Sequence, residues 1–133
     1  MKSILILLLL FSLEAKDYVI DKSTGLMWQD NQAGINKTYS WYGAKKYCNN
    51  LNLAGYTDWR LPTKKELRSI IDYNRYNPAI KKQFKNRRSN YYWSSTSYAG
   101  SSNNAWELHF KNGGDNDYNE DGNGYVRCVR KIK

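Results

Sequence analysis

Apolar and polar positions fall into distinct textures along this chain, and each texture predicts an element. Tyr18-Val19-Ile20 and Leu26-Met27-Trp28 flank the polar stretch Asp21-Lys22-Ser23-Thr24-Gly25, which predicts a short β-hairpin. Residues 30–38 are polar, contain Gly34 and predict a loop. Beyond them Trp41, Ala44, Cys48 and Leu51 recur at helical spacing behind Ser40, a residue type that caps helix N-termini. A helix is therefore predicted from Ser40 towards Asn52, with Gly55 just past its end and Cys48 on its inward face. Thr63-Lys64-Lys65-Glu66 follows Pro62 and has the form of a capping box, and Leu67, Ile70 and Ile71 supply the buried side of a second helix. Residues 55–61 are too few for another element and predict an ordered loop packed by Trp59.

Residues 72–90 are polar and strongly basic, and Pro78 interrupts any helix there, so they predict a connecting loop. From Tyr91 the texture turns aromatic and β-prone over residues 91–96, 105–110 and 125–130. In the second stretch Trp106, Leu108 and Phe110 alternate with Glu107 and His109; in the third Val126, Cys128 and Arg130 stand opposite Tyr125, Arg127 and Val129. Three strands after two helices predict an α+β domain, two helices packed on a twisted, mainly antiparallel sheet.

The N-terminus changes where this domain is expected to work. Lys2 precedes residues 4–10, which hold no polar side chain, and the run continues to Leu13 before Glu14 and Ala15. This reads as a signal peptide over residues 1–15, shorter than the roughly 20 apolar residues a bilayer span needs; the alternative is a retained anchor or a first hydrophobic helix. Removing it leaves residues 16–133 as one domain without a transmembrane span, expected in the periplasm, secreted or at the cell surface. An exported chain with two cysteines favours a bridge between Cys48 and Cys128, which would contribute about 4 kcal/mol by closing so long a loop. Two free buried thiols are the alternative. The cysteines form no CxxC motif, and a single His109 offers zinc little else.

The net charge of +9 favours polyanionic partners. It is densest at Lys81, Lys82, Lys85, Arg87 and Arg88, which with Tyr91 make a candidate ligand surface to which Tyr73, Tyr76 and Tyr98 could add stacking rings; a plain solvated loop is the alternative. The five tryptophans are expected in the core. Asp115, Asp117, Asn119 and Asp121 set acceptors at alternate positions and suggest calcium, although an EF-hand would need Gly at Glu120 and Glu at Val126, and Asn, Asp and Gly are also ordinary turn formers. No other cofactor is expected. His109 has no nucleophile motif near it, and Arg60 and Glu66 read as buried polar groups that satisfy a loop and a helix cap, so the chain is not expected to be an enzyme.

Gly25-Leu26-Met27-Trp28, Gly55-Tyr56-Thr57-Asp58-Trp59-Arg60-Leu61-Pro62-Thr63, Glu66-Leu67, Tyr92-Trp93-Ser94-Ser95-Thr96 and Val126-Arg127-Cys128-Val129-Arg130 together resemble the C-terminal domain family of the Legionella collagen-like adhesin, from about residue 18 to the end. The resemblance implies a fold similar to C-type lectins and formylglycine-generating enzymes, placement at the surface or in the periplasm, and a role in attachment to sulfated glycans. This sequence holds no collagen-like tract. The expected function is an exported non-catalytic module that binds an acidic glycan or an envelope protein, with nucleic acid not expected. The alternatives are an oxidoreductase of the formylglycine-generating kind and a structural component of the cell envelope.

Overall fold

The computed structural model describes residues 16–133; the signal peptide expected over residues 1–15 lies outside them. Strands β1 (Tyr18–Asp21) and β2 (Leu26–Gln29) form the expected hairpin. Gly25 closes it at a φ of +72°, a left-handed conformation that suits a residue without Cβ, and the Asp21 carboxylate accepts from the Ser23 hydroxyl and amide at 2.7 and 3.1 Å. The Gln32 to Lys37 stretch holds a single helical turn, α1 (Ala33–Asn36), where a loop was expected.

Helix α2 (Trp41–Asn49) starts where the pattern placed it, with Ser40 Oγ accepting from the Gly43 amide, and it buries Trp41, Ala44 and Cys48. It ends before Leu51, which is half-buried beyond the cap. Helix α3 (Lys64–Arg68) opens on a complete capping box: Thr63 accepts from the Glu66 amide and the Glu66 carboxylate accepts from the Thr63 amide. Leu67, Ile70 and Ile71 are buried as expected, but Ile70 lies in the turn after the helix and Ile71 in a bridge to Ile80. Trp59 packs its loop from the inside, its ring N–H donating to the carbonyls of Tyr56 and Leu53.

Strands β3 (Tyr91–Ser97), β4 (Asn104–His109) and β5 (Asp115–Asn119) form an antiparallel sheet in that order, and β6 (Val129–Lys131) joins the hairpin beside β2 to form another. The α+β class holds, yet one sheet was expected and two three-stranded sheets are found. The reason lies in the segment before β6. Tyr125 exchanges backbone hydrogen bonds with β3, and four residues on, Val129 pairs with Trp28 of β2 and with Arg60. The chain thus crosses from one sheet to the other, and residues 126–130 are all buried, so their alternation of faces is not an alternation of environment. Glu107, on the face opposite Trp106, Leu108 and Phe110, and Arg127, on the face opposite Val126 and Cys128, are both interior. Trp106 is instead half-exposed, with the Lys64 ammonium 3.2 Å from its ring centroid.

Two apolar clusters fill the interior. One gathers Trp28, Leu67, Ile80, Phe84, Tyr92 and Phe110; the other gathers Met27, Trp41, Trp59, Trp93 and Val126 around the bonded pair Cys48 and Cys128. That disulfide ties α2 to the crossing segment, and both cysteines are fully buried. Among the described residues no helix is long and apolar enough to cross a membrane.

Candidate functional site

Residues 81–88 take no regular structure, yet they are held from beneath at several points. Phe84, the one apolar side chain in this basic run, is buried in the first cluster. Asp30, directly after β2 and only 2% exposed, accepts from the amides of Lys85 and Asn86 at 3.0 and 2.9 Å. Asn86 answers by donating its side-chain amide to the Asp30 carbonyl at 2.9 Å. Arg127, 1% exposed at its side chain, closes the arrangement: it donates to the carbonyls of Gln29, at 2.6 Å, and Asn86, lies 3.4 Å from Asp30 Oδ1, and stacks 4.8 Å from the Phe84 ring centroid. An irregular loop has no ladder to satisfy its backbone, so buried side chains do that work here.

Pinned this way, the loop turns Lys82, Lys85, Arg87 and Arg88 to solvent, with Lys81 half-buried. Lys81 lies towards the hairpin turn, where the Asp21 carboxyl is held below its usual range, first by the Ser23 hydroxyl and more weakly by Lys81. Arg88 lies towards α1, donating to the Ile35 carbonyl at 2.8 Å with its guanidinium 5.1 Å from the Tyr125 ring centroid. The five cations expected to act together are thus spread along one loop. Tyr91 is half-buried and packs on His109 at 4.2 Å between ring centroids, and burial with help from Lys111 pushes the imidazole below its usual range. Tyr73 and Tyr76 stand 65% and 67% exposed in the excursion between the paired residues Ile71 and Ile80. Tyr98 is not with them: it lies past the far end of β3, edge-on to Trp106.

Three of the four calcium candidates occupy a strand instead of a loop, and Asp121 lies in the turn that follows it. Asp115, Asp117 and Asn119 alternate along β5, on one face of the strand. Asp115 is paired with Lys64 and Arg68 at 3.2 and 2.9 Å, Asp117 accepts from the Asn104 amide, and Asn119 accepts from the Asp121 backbone. Among the described residues no group of three or more His, Cys, Asp or Glu is placed to hold a metal ion.

Arg60 and Glu66 meet as a fork, with both guanidinium nitrogens 2.7 Å from the carboxylate. The hydrogen bond from Arg60 holds Glu66 below the usual carboxylate range, with the Thr63 amide adding to it. Their side chains are 41% and 21% exposed, so the pair is less buried than expected, and it edges a shallow groove of about 540 Å³ shared with Thr24, Lys65, Ser69 and Lys131. The two groups satisfy each other.

Sequence reasoning missed Asp30, Phe84 and Arg127 as the support of the basic loop. Phe84 had a signal, as a lone aromatic among charges; an Asp directly after a fully buried strand was another. Glu107 was also missed. It is buried without a partner for its Oε2, and burial raises its carboxyl to about 7. No curated protein matches the chain. The model of the Lcl C-terminal domain matches residues 17–130, nearly all of what is described, and the chain belongs to that family.

Proposed function

We propose that this chain is a non-catalytic binding module, exported to the periplasm or the cell exterior, and that residues 81–88 are its contact surface for an acidic polymer such as a sulfated glycan. One observation carries the reading: a loop dense in cations is held in a fixed shape by a buried Asp30–Arg127 pair, with four of its five charges in water. Holding like charges together opposes folding, and a polyanion relieves that repulsion on binding. Membership in a family named for an adhesin's C-terminal domain supports a binding role. The engagement of Cys48 and Cys128 with each other supports the non-catalytic side, since an oxidoreductase of the formylglycine-generating kind needs reactive thiols. The disulfide also suits an oxidising compartment.

The test is binding to heparin across a salt series. Affinity falls steeply with salt, and the joint reversal of Lys81, Lys82, Lys85, Arg87 and Arg88 to Glu removes it, whereas reversal of the exposed Lys46 and Lys133 leaves most of it. Absence of salt-sensitive binding in the unmodified protein refutes the proposal, as does equal loss in the two sets of variants. Pull-down from an envelope extract, with the five-fold variant as control, tests the rival in which the same surface meets a protein.

A further inference from the structure

Over Glu107 the sheet face is crossed by the chain that follows β5; Trp93 and Ala105 on the same face join the cluster with Trp41 and Ala44 of α2, and Asn116 and Tyr118 at its β5 edge stay exposed. Strand register places Trp93, Glu107 and Asn116 side by side on that face, with Ala105 and Tyr118 next along it. Residues 120–124 form the cover and are tied at both ends. The Trp41 amide donates to the Glu120 carbonyl at 2.9 Å, the Glu120 amide donates to Asn103 at 2.8 Å, and Gly124 exchanges both backbone hydrogen bonds with Tyr39 at 2.9 Å. Between those ends the bonds are local, from Asp121 and Gly122 back to Asn119.

Gly124 presses on Glu107. A Cβ there would stand 2.5 Å from Glu107 Oε2 and 2.9 Å from Trp93 Nε1, so any side chain at this position would have to displace them. Glu107 itself is 2% exposed, and its Oε2 has no hydrogen-bond partner. The titratable groups disposed around it are Tyr39 before α2, Tyr91 on β3, His109 on β4, Tyr118 on β5, and Glu120 and Asp121 on the cover; none of them bonds to Oε2. A neutral acid is tolerated in such a place, but an ionised carboxylate without a donor is not.

We propose that Glu107 is a proton-sensitive latch: protonated, it lets residues 120–124 close over the sheet, and ionised, it favours an open arrangement in which the carboxylate reaches water. The cover runs directly into Tyr125, whose amide donates to Tyr91 and whose carbonyl accepts from Trp93, and whose ring lies under the Arg88 guanidinium. Opening therefore withdraws support from one end of the basic loop. This coupling, which rests on the polyanion reading, makes the loop bind more tightly in mild acid than above neutrality; the opening itself does not depend on that reading.

The carboxyl has its ordinary value of 4.5 when exposed and about 7 when covered. Between the two, the open state releases a proton that the closed state keeps. The open population thus grows about tenfold per pH unit from about pH 5 to 7, then levels off. Hydrogen exchange of residues 120–125 in the disulfide-intact protein, corrected for intrinsic rates, measures this directly. The unmodified protein follows that rise, while Glu107→Gln and Glu107→Leu show no pH dependence beyond the intrinsic rate. A flat profile in the unmodified protein, or a rise that survives in whichever of the two variants folds, overturns the latch. Heparin affinity at constant ionic strength, compared at pH 5.5 and 7.5, then tests the coupling: it weakens with pH in the unmodified protein and not in the variants. If exchange behaves as expected and heparin binds equally at both pH values, the coupling to the loop is wrong. If heparin does not bind at all, the polyanion reading fails and the exchange result still decides the latch.

Discussion

Replacing Arg127 with Met removes a guanidinium while keeping much of its apolar stem. The side chain is 1% exposed, and its loss leaves the carbonyls of Gln29 and Asn86 without their donor and the Asp30 carboxylate, 2% exposed, without a nearby positive charge. Removing one partner of a buried pair costs about 3–5 kcal/mol, because the other is left uncompensated out of water. Asp30 keeps the Lys85 and Asn86 amides, and Met can still lie against Phe84, so about 4 kcal/mol is the expected loss. For a domain of this size that lowers Tm by on the order of 15 °C. Thermal and urea unfolding of the disulfide-intact protein measure the loss. A second readout is local: Lys82, Lys85, Arg87 and Arg88 are exposed trypsin sites, resistant while the loop is pinned and cut first once it is not. A loss below about 1 kcal/mol, or unchanged cleavage of residues 81–88, would refute the argument that the buried pair shapes the loop.

Reduction, or joint Cys48→Ala and Cys128→Ala substitution, lowers stability by about 4 kcal/mol, and intact-mass measurement of the untreated protein shows two hydrogens fewer than after reductant. Stability between about pH 5 and 7 falls as pH rises, because the native state holds the Glu107 proton that the unfolded chain gives up; the displacement from 4.5 to about 7 corresponds to about 3 kcal/mol, and Glu107→Gln abolishes it in pH-dependent melting. His109 acts with the opposite sign, since its lowered imidazole favours the neutral form and adds stability as pH rises through its range, so the comparison is made between the unmodified protein and Glu107→Gln. Millimolar calcium leaves Tm unchanged, because Asp115 already faces Lys64 and Arg68; a rise of several degrees would assign an ion to β5.

Local signals in the sequence carried far into the structure. The hairpin, the Ser40 cap, the capping box at Thr63 and the inward Cys48 each follow from spacing and residue type over a few positions, whereas the bond to Cys128, 80 positions away, was expected from two cysteines in a chain read as exported. Two of the failures share a cause. Residues 125–130 alternate like a strand, but they pass between two sheets, so both sides of the chain meet protein and the alternation says nothing about exposure. The same blindness hid Glu107, which alternation set opposite Trp106, Leu108 and Phe110 and against which Gly124 presses. β5 was hidden for the opposite reason. Four of its five residues are Asn or Asp because it is an edge strand with little to bury, and Asn and Asp at an edge look like a turn. At the candidate site the cations were legible and their support was not, since Asp30, Asn86 and Arg127 meet across long stretches of chain.

The placement of that support separates two kinds of constraint. What fixes the path of residues 81–88 is Phe84, the amides of Lys85 and Asn86, and the buried groups they meet; the outward side chains of Lys82, Lys85 and Arg87 enter none of these contacts. Surface residues with no such role are exchanged at little cost in stability. The loop can therefore change what it displays, from cations to acids, amides or aromatic rings, while keeping its shape. A family built on this scaffold can diversify its partners by substitution at a few exposed positions without redesigning the interior.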